Sequence, residues 1–370
     1  MMIVVEVAAV LAGTALILWT LLSALKTVVV PRAYSSLLTR VHFVVWRRLF
    51  DIGTSPRRPY EKRDRAMAVF APLALVTLPA TWVVLVVLGF TAVDWGTGVR
   101  PFTEALVTSG SSLMTLGFVR PPGTWRVLIS FVEAGIGLGL ISLMISYLPT
   151  IYSAFSRREA QVGMLEVRAG LPPSAAELLT RYQRIGRLDR IGEDVFERWE
   201  QWFIDVEESH TTQGSLVFFR SPHAERSWIT AAGCVLDTAA LCEAVVDRPH
   251  DPRAQIMLRT GFFCLRRIAD LYGIAYDPDP QPDGPISVSR REFDLLCVEL
   301  TAAGIELKAD RDRAWRDFAG WRVNYDTVLL ALCSLVMAPP AMWSSDRMPP
   351  RRLPSLRPRR HVAPTDRSVR

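Results

Sequence analysis

Long apolar runs alternate with charged stretches over the first 155 residues of the chain. Three of these runs, at residues 3–25, 66–93 and 127–155, reach the roughly 20 residues that a helix needs to cross the hydrocarbon core of a bilayer. The pattern predicts three transmembrane helices, because a helix satisfies its own backbone polar groups inside a membrane. The remaining chain carries most of the charge. Its apolar residues recur at helical spacing, which predicts a mainly helical soluble domain.

The expected fold is therefore an all-α membrane protein with a cytoplasmic domain. The predicted division is a first transmembrane helix at 1–30, an amphipathic cytoplasmic linker at 31–65, a membrane module at 66–155, a helical cytoplasmic domain at 156–344 and a basic disordered tail at 345–370. A signal peptide is the other interpretation of the first run. It requires a positively charged start, however, and Glu6 is the only charge before residue 8.

Basic residues predict the orientation in the membrane. Residues 31–65 contain nine lysines and arginines, whereas residues 94–124 contain only Arg100 and Arg120. Because cytoplasmic loops are enriched in basic residues, we expect the linker and everything after residue 155 inside the cell and the amino terminus outside. The five cysteines all lie in the polar half without a C-x-x-C pair, which is typical of a reducing compartment. We expect a multi-pass protein of the plasma (inner) membrane.

Residues 34–50 of the linker place apolar side chains on one helical face, with arginines between them. Two surfaces would accept such a helix, the anionic inner leaflet and the cytoplasmic domain, and amphipathicity alone does not choose between them. Anionic lipids are expected partners of the basic 31–65 linker and of the arginine-rich tail. Nucleic acid is not expected, because no nucleic-acid-binding module is recognisable.

The segment between the second and third apolar runs has a different pattern. Pro101 suits the first turn of a helix, and residues 102–113 are mildly apolar but too short to span a membrane. Pro-Pro-Gly at 121–123 would return the chain to the outer surface. Irregular backbone at membrane depth survives only where protein or a water-filled cavity satisfies it. The pattern therefore predicts a re-entrant pore helix followed by a short non-helical strand, within residues 101–120.

At these residues the sequence resembles the potassium-channel pore module, in the two-helix form of the bacterial ion-channel family. Residues 66–155 carry the resemblance: an acidic-Ala-Leu run begins at Glu104, a serine follows five positions later at Ser109, and a filter-like run begins eleven positions after the acid. The four filter-like residues are Thr115, Leu116, Gly117 and Phe118. The resemblance implies a homotetramer whose filter carbonyls conduct K⁺ or another monovalent cation, with no cofactor.

Two positions depart from the family pattern. Val119 stands where the family has its second filter glycine, and Arg120 stands where it has aspartate. A β-branched valine resists the positive φ that glycine allows. Four copies of Arg120 would place positive charge where the family has a ring that attracts cations. Both departures count against ordinary potassium selectivity.

The third apolar run, the inner helix of the expected module, adds four candidates. Glu133 is an acid inside a predicted span and is therefore a functional hypothesis, although a glutamate that bonds the re-entrant backbone or reaches the interface also accounts for it. Gly135 and Gly139 share one helical face, which favours close packing or a bendable helix. Pro149 would kink the helix or mark its interfacial end.

The cytoplasmic half shows little recognisable chemistry. It has no phosphate-binding glycine loop and no H-E-x-x-H motif. An acidic cluster with one histidine is more typical of a solvated helix face than of a cation site, and it consists of Asp205, Glu207, Glu208 and His210. Only residues 214–219 and 286–288 show strand-like alternation.

Two functions remain open on the sequence. One is a cation-conducting channel with doubtful K⁺ selectivity, and the other is a non-conducting, membrane-anchored regulatory or scaffold protein with a cytoplasmic interaction domain. An enzyme is not expected, because no catalytic constellation or metal-ligand spacing is recognisable.

Overall fold

The computed structural model describes residues 2–30, 36–54 and 58–349, and within them the regular elements are helical. Residues 350–370, with most of the predicted tail, and parts of the linker lie outside the described residues. The helices are α1 Met2–Val28, α2 Leu37–Gly53, α3 Tyr60–Gly96, α4 Phe102–Leu113, α5 Thr124–Ala169, α6 Ala175–Arg184, α7 Glu197–Thr212, α8 Trp228–Ala244, α9 Pro252–Leu271, α10 Arg290–Ala302, α11 Arg311–Arg322 and α12 Asp326–Val336.

Neither stretch with strand-like alternation forms a strand. The first stretch contains a 3₁₀ turn, Gly214–Phe218, and residues 286–288 are irregular. The described residues pair in β fashion only at an isolated bridge between Val246 and Leu307. A short apolar run does not distinguish a strand from a buried turn, and here the turn buries Leu216, Val217 and Phe218 in succession.

The helices form two compact units. The first unit comprises Met1–Ile52 and Val69–Ser153, and the second comprises Gly53–Ala68 and Ala154–Arg370. Three helices, α1, α3 and α5, are long and apolar enough to cross a membrane, as the three apolar runs predict. α5 continues past the predicted end of the third run at residue 155, because arginines end an apolar run without ending a helix.

Glycines bring α1 and α3 close together in the first unit. A Cβ atom on Gly13 would collide with the carbonyl oxygen of Gly89, and one on Gly96 would lie 2.6 Å from the carbonyl oxygen of Glu6. Small residues let helix backbones approach where lipid provides no hydrophobic drive for association. The shared core includes the fully buried Trp82.

α2 lies against α1 and α3 through its polar and aromatic face. His42 is hydrogen-bonded to the carbonyl oxygen of Ala74 at 2.8 Å, and the ring centroids of Phe50 and Phe70 are 5.8 Å apart. The exposed face is mainly apolar, with the exposed Arg48 among its apolar residues Leu37, Val41, Val45, Leu49 and Ile52. Of the apolar residues that the pattern places on one face, Leu38 is buried, whereas Leu37, Val41, Val45 and Leu49 are exposed.

α8 is the central helix of the second unit. All of its residues except Glu243 are buried, and α6, α9, α11 and α12 pack around it. The five cysteines of the chain are free thiols buried in this unit, and burial raises the pKa of Cys242 to about 12. Thiols in such surroundings become reactive only when the unit opens.

A buried ionic network joins three helices of the second unit. The guanidinium of Arg322 on α11 has no exposed surface and donates hydrogen bonds to Asp237 on α8 and to Asp326 on α12. It also donates to the carbonyl oxygen of Trp343, and the Tyr325 hydroxyl donates to Asp237 at 2.8 Å. Every charge in the network therefore has a partner of opposite sign, which is the condition for burying it.

Residues 214–220, which we call the clasp, hold two long helices within the second unit. Arg158 on α5 donates to the carbonyl oxygens of Leu216 at 2.9 Å and Phe219 at 2.7 Å. The next residue, Arg220, forms an ion pair with Asp64 near the start of α3. Consecutive residues of one segment therefore bind the second-unit portions of α3 and α5.

His210 is fully buried beside Arg158 rather than on a solvated helix face. A guanidinium only donates, so His210 Nε2, 3.0 Å from Arg158 Nη1, is the acceptor and the ring proton sits on Nδ1, facing Ser209 Oγ at 3.0 Å. Burial and then the charge of Arg158 hold the pKa of His210 well below its ordinary value.

The second unit is expected to lose stability as the pH falls below about 6.5, the ordinary histidine pKa. Below that pH His210 binds a proton in the unfolded chain but stays neutral in the folded unit, so protonation favours unfolding. Thermal exposure of the buried thiols to a reactive dye measures this in the full chain. His210→Gln should flatten the pH dependence, whereas His250→Gln, on the surface, should not. Equal slopes for all three proteins would contradict the prediction.

Candidate functional site

α4 lies between the two long helices α3 and α5, and its bounds coincide with the predicted 102–113. Ser109 on its buried face donates a hydrogen bond to Glu133 of α5 and lies 3.1 Å from the carbonyl oxygen of Val87 of α3. One serine hydroxyl therefore contacts both long helices. Glu133 is only 1 % exposed, so it does not reach the interface, and its partner is a side chain rather than the irregular backbone after α4.

After α4 the backbone alternates between left-handed and other conformations. Thr115 has φ 55° and Gly117 has φ 69°, with Leu116 between them. A left-handed conformation suits glycine but costs a β-branched threonine about 1–3 kcal/mol, and such residues concentrate at functional sites. The strain marks this turn as a position that the surrounding structure holds in place.

Ser111 accepts hydrogen bonds from backbone amides of the same segment. Its carbonyl oxygen accepts from the amide of Leu116 at 2.8 Å, and its hydroxyl accepts from the amide of Val119 at 3.3 Å. The carbonyl oxygens of residues 115–118, by contrast, accept no hydrogen bond from any described residue. The backbone is therefore one-sided: the amides of Thr115, Leu116, Gly117 and Val119 bond back to α4, and four successive carbonyls accept no hydrogen bond from the described residues.

The residues predicted in and beside the filter differ in their exposure. Leu116 and Phe118 are 63 % and 65 % exposed, and Arg120 is also exposed. Val119 is half-buried, and its φ lies outside the left-handed region that a glycine there would adopt. Glu104 is exposed in the first turn of α4, where a carboxylate is favourable beside unpaired helix amides.

Gly137 makes the tightest contact of α5 with α4. A Cβ atom there would overlap the carbonyl oxygen of Leu113, the last residue of α4. Gly135 and Gly139, the glycines predicted to matter for packing or bending, have open space around their Cβ positions within the chain. The close contact with α4 is therefore made at Gly137, and the role predicted for Gly135 and Gly139 stays a prediction, because spacing shows that glycines share a face without showing which face meets a neighbour.

Gly137→Ala is expected to destabilise the first unit by about 1–3 kcal/mol, since the methyl group must push α4 away from α5. Gly135→Ala and Gly139→Ala should be neutral or slightly stabilising, because alanine favours a helix over glycine where space is open. The measurement is the temperature at which heated, detergent-solubilised protein leaves its size-exclusion peak. A loss no larger for Gly137→Ala than for the two controls would refute the close contact.

A small and polar stripe follows the exposed face of α5. It consists of Gly135, Gly139, Ser142, Ser146 and Thr150, opposite the buried Glu133, Gly137 and Leu140. The three hydroxyls bond to carbonyl oxygens of their own helix at 2.9–3.0 Å. Pro149 lies beside the stripe, exposed and inside the helix, so the carbonyl oxygen of Ile145 loses its usual helical donor.

Asp94 is a buried acid that the sequence pattern did not single out. It is 4 % exposed in the last turn of α3 and interacts electrostatically with both Arg126 and Glu133. Arg126 in turn donates to the carbonyl oxygen of Thr97 at 2.6 Å, which ties the start of α5 to the end of α3. The sequence signal was ambiguous, because an acid at the end of an apolar run is ordinarily an interfacial charge.

The described residues contain no group of three histidine, cysteine, aspartate or glutamate side chains placed to hold a metal ion. No protein-family model matches the chain, and neither a curated protein nor a solved structure is similar to it.

Proposed function

We propose that this chain is one subunit of a tetrameric cation channel whose filter is formed by the backbone carbonyls of Thr115, Leu116, Gly117 and Phe118. The observation that carries the proposal is the one-sided backbone of this segment, whose amides bond to α4 and whose carbonyls have no partner among the described residues. Carbonyl oxygens arranged in this way replace the hydration shell of a permeating ion. Without an ion or water they would be costly to keep near an apolar phase.

Assembly around a central axis follows from the same geometry. One subunit supplies a quarter of a carbonyl ring, so a filter of this type requires four copies. The small and polar stripe on α5 supports this, because such a face in a membrane helix borders water rather than lipid tails. In the assembled channel α4 acts as a re-entrant pore helix, and α5 is the inner helix.

The proposed placement is the plasma (inner) membrane, with the amino terminus outside and the second unit in the cytoplasm. The basic linker supports it, since cytoplasmic loops are enriched in arginine. Anionic lipids would contact the 31–65 linker, whose helix α2 carries an exposed apolar face, and the basic tail.

Weak K⁺ selectivity is part of the proposal. Val119 does not adopt the backbone conformation of a filter glycine, and Arg120 is exposed at the end of the segment. The permeant ion in this proposal is a monovalent cation. Because of these two residues, K⁺ is preferred less strongly than in the family that the sequence resembles.

Planar-bilayer recording of the purified protein tests the proposal. We expect unitary cation currents that Gly117→Val abolishes, because a β-branched residue resists the left-handed conformation of Gly117. Gly110→Ala is the matched control, since a Cβ atom there meets open space in α4 and currents should persist. Silence of the wild-type protein under varied voltage, pH and lipid would refute conduction.

The second candidate is a non-conducting membrane anchor for a cytoplasmic regulatory or scaffold domain. The observation that favours it is the pair of departures at Val119 and Arg120, which weaken conduction without weakening the fold. Silent bilayers with an intact tetramer on size-exclusion chromatography would support this candidate.

A further inference from the structure

α2 follows α3 lengthwise within the first unit. Near the start of α2, His42 Nδ1 lies 3.2 Å from the Thr81 hydroxyl, and His42 Nε2 lies 2.8 Å from the carbonyl oxygen of Ala74. Near the end of α2, the ring of Phe50 packs against the ring of Phe70. The contacts on α3 therefore move from residue 81 back to residue 70 as α2 advances, so the two helices run antiparallel over about three turns of α3.

α1 gives the same direction for α2. The hydroxyl oxygens of Thr27 and Thr39 are 2.7 Å apart, and the hydroxyl groups of Ser23 and Ser36 are also hydrogen-bonded. The start of α2 therefore lies beside the last turns of α1 and runs parallel to them. The glycine contacts between α1 and α3 make these two helices antiparallel, which agrees with the direction of α2 along α3.

The stretch of α3 beside α2 lies inside an apolar run. Residues 66–93 carry no charge and follow the charged residues 61–65, and as a helix they extend over about 42 Å. A hydrocarbon core of ~30 Å takes about 20 of these residues. Whichever 20 they are, residue 70 lies within about 6 Å of the boundary of the core on the side of residues 61–65. α2 therefore extends from membrane depth at His42 to the boundary at Phe50, rather than lying flat on the surface.

The side of α2 that faces away from α1 and α3 is a single aliphatic stripe with one arginine. This outward stripe consists of Leu37, Val41, Val45, Arg48, Leu49 and Ile52. Its positions advance by three or four residues at most steps, which keeps them on one face of a helix. The ring of Trp46 packs against the rings of His42 and Phe50, which contact α3. The outward stripe thus offers only aliphatic side chains and one guanidinium to its surroundings.

Arg48 lies where the charged part of a lipid would be. The guanidinium of the preceding residue, Arg47, is 5.5 Å from the centre of the Phe70 ring, which places this turn of α2 near the boundary of the core. Arg48 is exposed and forms no ion pair or hydrogen bond with another described residue. An arginine at this depth lays its aliphatic stem along apolar neighbours and extends its charge to the interface. The planar guanidinium matches the oxygens of a phosphate.

We propose that lipid acyl chains cover the outward stripe of α2 and that Arg48 binds the phosphate of an anionic phospholipid in the same leaflet. The stripe shares its depth with exposed aliphatic residues of α3, Val69 and Val76, so one layer of acyl chains covers both helices. The inference rests on the membrane placement proposed above and deepens it, because it names the surface and the residue that bind the lipid. It does not depend on conduction.

A nitroxide label on Val45→Cys, in full-length protein in nanodiscs, tests the covering of the stripe. The five native cysteines are buried, so the label reports position 45. We expect frequent collisions with oxygen, which dissolves among acyl chains, and few with a water-soluble nickel chelate. Leu18→Cys on the exposed face of α1 is the membrane control, and Glu299→Cys in the second unit is the aqueous control.

The two controls separate the ways in which the proposal fails. Access of nickel to position 45, with a lipid pattern at position 18, shows that the stripe faces water and overturns the proposal. Protection of position 45 from both reagents also overturns it, because a second copy or another protein surface then covers the stripe. A water pattern at position 18 overturns the membrane placement itself, and the lipid site with it.

Native mass spectrometry of the detergent-solubilised protein, titrated with phosphatidylglycerol, tests the phosphate site. Arg48→Gln should weaken binding of the first lipid about tenfold, because it removes charge-assisted hydrogen bonds to the phosphate. Arg48→Lys should recover part of the loss, since it restores the charge without the planar fork. Arg65→Gln, an exposed arginine in the same basic linker, is the matched control and should bind like the wild type. Equal binding by the Arg48→Gln and Arg65→Gln variants overturns the site at Arg48.

Discussion

Arg322→Met is expected to destabilise the second unit by about 3–5 kcal/mol, enough to unfold a domain of ordinary stability. The substitution leaves Asp237 and Asp326 buried without a counter-ion and the carbonyl oxygen of Trp343 without its donor. Burial already raises the pKa of Asp237 in spite of the adjacent guanidinium. Removal of that positive charge would leave the carboxylate buried without a counter-ion.

The buried cysteines make this measurable in the full-length protein, because all five lie in the second unit. A thiol-reactive dye should report a much lower unfolding temperature for Arg322→Met. Arg313→Met, on the exposed face of the same helix, controls for the loss of an arginine and should melt like the wild type. Arg322→Met with Asp237→Asn and Asp326→Asn should recover part of the loss, since no buried charge then remains unpaired. Identical melting of the two single variants would show that the network contributes little.

Val119→Gly combined with Arg120→Asp is expected to confer a clear K⁺ preference on the proposed channel. Glycine at 119 permits the left-handed backbone that valine resists, and four aspartates at 120 raise the cation concentration at the mouth of the filter. Reversal potentials with K⁺ on one side and Na⁺ on the other measure the change, at about 59 mV for each tenfold change in permeability ratio.

Each single substitution separates the two effects. Arg120→Asp alone should raise conductance without changing ion preference, because it alters the charge and leaves the backbone at 119 as it is. Val119→Gly alone should shift preference at low conductance. If the double variant conducts with unchanged preference, ions do not pass the carbonyls of residues 115–118, and the filter assignment is wrong.

Much of the architecture was determined by local properties of the sequence. Apolar length alone predicts three helices able to span a membrane, because the thickness of a bilayer sets a minimum run of residues. The bounds of α4 were predicted to the residue, since Pro101 suits the first turn of a helix and the mildly apolar run after it ends at residue 113. The helical second unit follows from the same periodic pattern.

Only the tertiary structure decided which faces and partners these helices have. It places Gly137 rather than Gly135 against α4, joins Glu133 to Ser109, and turns the apolar face of α2 outward. It also buries His210 beside Arg158, although the acidic residues near this histidine in the sequence predict a solvent-exposed helix face. Helical periodicity repeats every few residues and records local preference, whereas a hydrogen bond between residues 24 or 52 positions apart depends on how whole helices pack against each other.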